Sequence, residues 1–145
     1  MDTTNQLEPC QSQRVLLDTG ASSNTCRHAD LFLNMKPSSH RFLIGGGEMI
    51  AQGKGTIRLS CKTTNGWLDL EFPDTYYVPD RFNNTDIILS FPRFVEITGA
   101  RFRQTESVPY LTVKIGSNQL MIHSKRGKPY MILPHRAECQ CGHQA

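Results

Sequence analysis

The chain has 145 residues, 38% of them hydrophobic and 20% charged, which fits one globular domain rather than two. Its apolar runs, such as 76–78 and 87–89, fall far short of the ~20 residues a membrane-spanning helix needs, and no signal-peptide pattern opens the chain; a soluble, cytoplasmic domain with no membrane partner is expected. The net charge of +3 is spread over scattered Lys and Arg, and the one local cluster, His123, Lys125, Arg126 and Lys128, reads as a solvated turn, which argues against nucleic acid as a partner of this domain.

Residues 1–13 are polar, carry Pro9 and have no apolar period, so they read as a flexible leader, with the domain itself over 14–134. Short apolar stretches broken by turn formers follow at 15–17, 42–44, 56–61, 67–72, 75–78 and 87–89; many short strands predict a mainly β fold. Gly45-Gly46-Gly47 and Asn65-Gly66 supply the backbone freedom of tight reversals, which predicts two hairpins. Over 90–98 the spacing of Phe91, Phe94, Val95 and Ile97 predicts one short helix, with Pro92 in its first turn and Gly99 as its stop. Strands are expected again at 110–115, 119–123 and 130–133, and residues 135–145 read as a flexible tail.

The chemistry lies at Asp18-Thr19-Gly20. An apolar strand, Val15-Leu16-Leu17, delivers a carboxylate straight into a glycine turn followed by the small residues Ala21, Ser22 and Ser23. A buried strand end holds Asp18 rigidly, the Gly20 N–H is placed to donate to the carboxylate, and Thr19 offers a hydroxyl for bracing. One carboxylate cannot both activate a water and protonate a leaving amide, because those roles need opposite protonation states. The chain has a single Asp-Thr-Gly and is too short for a second lobe, so a second carboxylate has to come from another copy across a two-fold axis.

The run Leu16-Leu17-Asp18-Thr19-Gly20-Ala21-Ser22 resembles the active-site motif of retropepsins, and more particularly that of copia-type (Pseudoviridae) retrotransposon proteases. Further segments resemble that family in order: Ile44-Gly45-Gly46-Gly47-Glu48-Met49-Ile50 is similar to its flap hairpin, the stretch 53–59 to the strand pair behind it, and Tyr76-Tyr77-Val78-Pro79-Asp80 to the element before the second apolar motif. That motif is Asp86-Ile87-Ile88-Leu89-Ser90, with Ser90 where viral retropepsins have Gly. The resemblance implies a closed β-barrel protomer with a flap and one short helix, active as a homodimer. It implies an aspartic endopeptidase that cleaves polypeptide, its own polyprotein included, in the cytoplasm or within virus-like particles. Asp18, Thr19 and Gly20 would be catalytic, and Ala21, Ile44, Gly45, Gly46, Gly47, Glu48 and Ile88 would meet the substrate. A dimer strand would lie near residues 100–104.

Other candidates carry less. His135, Cys139, Cys141 and His143 are four potential zinc ligands within nine residues, but the Cys-x-Cys spacing is tighter than the usual knuckle and no structured element surrounds it, so no metal or cofactor is expected. Five cysteines, Cys10, Cys26, Cys61, Cys139 and Cys141, are an odd and irregularly spaced set, which fits reduced thiols. Cys26 and His28 stand too close in the chain to face each other as a thiol and its base. Two readings compete with the protease: a domesticated, non-proteolytic module of the same fold that binds peptides or dimerises, and an unrelated β-barrel in which the tripeptide is accidental.

Overall fold

The structure is a computed structural model that describes residues 13–44, 47–80, 85–104, 110–125 and 128–133; the expected leader (apart from Gln13) and the tail with its His and Cys residues lie outside the described residues. The fold is mainly β. In chain order the elements are β1 (Gln13–Asp18), β2 (Asn24–Cys26), a 3-10 turn (Ala29–Leu31), β3 (Phe32–Pro37), β4 (Arg41–Ile44), β5 (Gly47–Ile50), β6 (Gly53–Thr63), β7 (Gly66–Tyr77) and β8 (Ile87–Ser90). Then come α1 (Phe91–Thr98), β9 (Arg101–Gln104), β10 (Tyr110–Ile115), β11 (Asn118–Lys125) and β12 (Lys128–Leu133).

Ten of the strands form one sheet in the order β3-β6-β7-β2-β8-β1-β12-β11-β10-β9, and β4 and β5 form a separate hairpin. β1 sits near the middle. It runs parallel to β8 on one side and antiparallel to β12 on the other. The alternation of side chains along a strand puts Val15 and Leu17 on one side, where they join Ile57, Leu59, Phe72, Ile87, Leu89, Phe94 and Val113 in the main core, and Arg14, Leu16 and Asp18 on the other. Each such aliphatic or aromatic side chain contributes about 1.5–3 kcal/mol by leaving water. The stop of β8 at Ser90 and the start of α1 are set locally. The Ser90 hydroxyl accepts from the Arg93 N–H at 3.4 Å, Pro92 occupies the first turn, and Gly99 closes the helix with φ 69° and its N–H on the Val95 carbonyl at 2.8 Å. Phe94 then packs under the sheet, its ring 5.9 Å from that of Phe72.

The closed barrel is replaced by a curled sheet: among the described residues the ladder has two edges, β3 and β9. It curls until the β6–β7 turn meets the β10–β11 turn, where the Thr64 N–H donates to the Gln119 carbonyl and Asn65 Nδ2 to the Ser117 carbonyl, each at 2.9 Å. The stretches 67–72 and 75–78, expected as two strands, form the single β7, bulged at Pro73-Asp74; Asp74 takes φ 55°, and the register with β6 shifts between Gly55 and Ile57. The hairpin at Asn65-Gly66 turns through Thr64-Asn65, with Gly66 at φ 102° pairing back onto Thr63. β2 and β3 were not expected. The strand near 100–104 forms as β9 but pairs within the chain, onto β10.

Candidate active site

Val15, Leu16 and Leu17 are all buried, so β1 reaches Asp18 as a clamped rod and releases the chain there into solvent. Asp18 is half-buried, and Thr19 and Gly20 are exposed. The Gly20 N–H donates to Asp18 Oδ1 at 2.8 Å, and the Ala21 N–H returns to the Asp18 carbonyl at 3.3 Å, which closes the turn and fixes the carboxylate. A Cβ on Gly20 would lie 3.5 Å from Asp18 Oδ1, an ordinary contact, so close backbone approach within one chain does not explain the glycine.

Three interactions with distant parts of the chain brace this turn. Ser90 stands opposite Asp18 in the parallel β1–β8 register. Its N–H is held by Asn24 Oδ1 at 2.7 Å, and Asn24 is 1% exposed. β2 and β8 pair through Thr25 with Ile88 and Cys26 with Ile87, so the Asn24 side chain extends that ladder by one step to Ser90; its Nδ2 is buried with no partner among the described residues. Ser90 itself has φ −63° and ψ 121°, an ordinary extended backbone, so serine in place of glycine carries no strain here and adds the helix cap. From α1, Arg93 Nε donates to the Ser22 carbonyl at 2.9 Å and ties the far end of the loop to the helix.

The third brace is Asp86. Its Oδ2 accepts from the Arg14 N–H at 2.8 Å and its Oδ1 meets His28 Nε2 at 2.7 Å, while its carbonyl accepts from the Arg27 N–H at 3.2 Å. One carboxylate thus gathers the start of β1, the segment after β2 and the approach to β8. Burial on its own pushes this carboxyl up, but the Arg14 amide, His28 and Arg27 together hold it below its ordinary 3.8.

An open cavity of about 520 Å³ lies beside the turn, lined by Thr19, Gly20, Ala21, Ser22, Ser90, Pro92, Arg93 and Glu96. Ile88 is half-buried opposite Leu16, and the two-residue period puts Leu16 and Ile88 on the same side as Asp18. The expected flap is the β4–β5 hairpin, with Ile44 facing Gly47 and Leu43 facing Glu48; Glu48 is exposed and pairs with Arg41 at 3.6 Å. Its tip, Gly45 and Gly46, lies outside the described residues. The root of the hairpin is fixed by aromatic packing. His40 stacks on Tyr76 with centroids 4.6 Å apart, and Phe42 meets Tyr76 edge-on at 5.1 Å, above the buried Met49, Ala51 and Val78.

Thiol chemistry finds no support among the described residues. The His28 imidazole is turned to Asp86, while Cys26 Sγ accepts from the His28 backbone N–H at 3.4 Å and donates to the His28 carbonyl at 3.5 Å. Burial, with Asp69 nearby, pushes the Cys61 thiol up to about 12, so it stays protonated at neutral pH. No group of three or more His, Cys, Asp or Glu among the described residues is arranged to hold a metal ion, and no helix there is long and apolar enough to cross a membrane.

Asn24, Asp86 and Arg93 are the site residues that the sequence reading missed. Asn24 lies in a polar run that looks like loop, and each of the three acts on a partner 66 to 72 positions away. No curated protein and no solved structure matches the chain. A family model does: that of the Pol polyprotein β-barrel domain matches residues 15–97, from the Asp18 strand to the end of α1. The chain belongs to this family, and is a β-barrel-type domain of a retroelement Pol polyprotein.

Proposed function

We propose that the chain is the aspartic endopeptidase of a copia-type retrotransposon polyprotein, active as a homodimer in which two Asp18 carboxylates share one water. The observation that carries this reading is the Asp18-Thr19-Gly20 turn. A carboxylate is held at the end of a buried strand by its own glycine amide at 2.8 Å, on a loop whose outer side is open to a partner. The retroelement context of the family supports the same reading, because a Pol polyprotein must be cut to release its parts.

Two such carboxyls brought to roughly 3 Å cannot both ionise, so the pair holds one proton between them and titrates as a unit, as in aspartic proteases generally. The ionised member takes a proton from water as it attacks the scissile carbonyl. The protonated member hydrogen-bonds the carbonyl oxygen as charge develops there, and the tetrahedral species then collapses with proton transfer to the leaving nitrogen. Thr19 and Gly20 brace the pair. Ala21 and Ile88 flank the reacting bond, and the β4–β5 hairpin, through Ile44, Gly45, Gly46, Gly47 and Glu48, covers an extended peptide by backbone pairing. The reaction needs no cofactor.

The test is an extended precursor carrying flanking polyprotein sequence, expressed as wild type and with Asp18→Asn or Asp18→Ala. Self-cleavage in the wild type and its loss in both variants is the expected result. Cleavage that persists in the variants refutes the assignment, and a wild type that dimerises without cutting supports the non-proteolytic module instead.

A further inference from the structure

β1 carries the candidate catalytic carboxylate at one end and the entry of the chain into the sheet at the other. Asp18 closes the strand and Gln13 opens it, five residue steps earlier, which is about 17 Å along an extended backbone. β12 runs antiparallel to β1 and sets Leu133 directly opposite Gln13, about 5 Å across the ladder. Sequence before Gln13 and sequence after Leu133 therefore leave the sheet side by side, at the end of β1 remote from Asp18.

The register also closes the short way back. One edge of β1 is taken by β12 at 13–16 and the other by β8 at 15–18, so over most of its length the strand offers a returning segment no ladder to follow towards the carboxylate. A second copy does not shorten the path. A two-fold axis that brings both Asp18 carboxylates together leaves the Gln13 and Leu133 ends of each subunit still about 17 Å from the shared pair. A flanking segment has to double back over that distance at no more than about 3.5 Å per residue, and then supply further residues to lie extended on both sides of the scissile bond. A tether that cannot span to its target gives an effective concentration near zero, however active the site. Bonds close to Gln13 or Leu133 are thus beyond the reach of the dimer that carries them, and only the cleft of another dimer can take them.

Given the proteolytic reading above, on which this rests, we propose that the junctions flanking this domain are cut in trans. The substrate is the flanking segment of one precursor dimer, and water adds across its peptide bond at the Asp18 pair of another. Release then depends on how densely precursors are packed together. A dilute precursor dimer, complete at its own active site, keeps its flanks.

The test is the full chain in a precursor with flanking polyprotein sequence at both ends, followed at a series of concentrations at which sedimentation shows the dimer already saturated. The rate constant for loss of the flanks is expected to rise in proportion to concentration, tenfold for tenfold. A Gly/Ser segment of about 20 residues inserted between the N-terminal junction and Gln13 spans about 25 Å on average, and should add a cleavage phase independent of concentration at that junction alone. A separate peptide copied from the junction reports proteolysis itself, and wild type is expected to cut it while Asp18→Asn does not. A rate constant for the natural junctions that stays constant on dilution while the peptide is cut overturns cleavage in trans and leaves the protease standing. An insertion that adds no such phase overturns it too, because reach would not be what protects the junction. A peptide left intact by wild type removes both the protease and the proposal.

Discussion

Asp18 is held in place by residues that lie far from it in the chain. Its own tripeptide was legible because every part of it is contiguous: an apolar strand, a carboxylate, a glycine whose amide reaches back to that carboxylate. Asn24 was not legible, because a buried amide that extends a β ladder looks, in sequence, like one more polar loop residue. Asp86 was read as part of an apolar motif, and its work as a clamp on Arg14 and His28 depends on chain crossings that no local pattern records. The clamp has a pH signature. The folded carboxyl titrates below its ordinary 3.8, so its contribution to stability is present above that value and is lost as pH falls through the lower folded one. Thermal melts of wild type and Asp86→Asn between neutrality and strong acid should converge as the solution is acidified below the ordinary carboxylate range. Parallel curves throughout would remove the clamp from the account.

Elements defined by local chemistry were readable, and elements defined by their partners were not. α1 announced itself through Ser90, Pro92 and Gly99, three capping features within ten residues. β2 spans three residues, too few for any period, and β3 is an exposed edge strand with little apolar pattern and a proline at its end. What seats β3 is Gly55 on β6. A Cβ there would fall within 1.9 Å of the Asn34 carbonyl oxygen and 2.9 Å of its carbon, which are backbone atoms that cannot swing aside. The Thr56 N–H meets Asn34 Oδ1 at 3.2 Å in the same bulge. Gly55→Ala should therefore displace β3 and lower stability by about 1–3 kcal/mol in urea denaturation, as overpacking of a tight contact does. A loss within error of zero would mean that the β3–β6 crossing is looser than described. The curled sheet departs from the expected barrel for a similar reason: edge pairing is decided by which strands meet in space, and β9–β12 fold back so that β12 lies against the Asp18 strand itself.

For the molecule as a whole, the mainly β class and the retroelement setting were legible from strand pattern and motif order, and the family match over residues 15–97 agrees with both. The pairing of the C-terminal strands was hidden, since register and not proximity in the chain sets β9 on β10 and β12 on β1. The pairing of two Asp18 residues is a property of an assembly, and a single chain displays only the half-buried carboxylate and the exposed turn that such an assembly would use. That pairing can be measured by mixing. Wild-type chain is equilibrated with increasing amounts of Asp18→Asn chain at fixed total concentration, and peptide-bond cleavage is followed. If both carboxylates of a dimer are needed, activity falls as the square of the wild-type fraction; a fall in simple proportion to that fraction would mean each chain cuts alone, and the shared-proton account would be wrong.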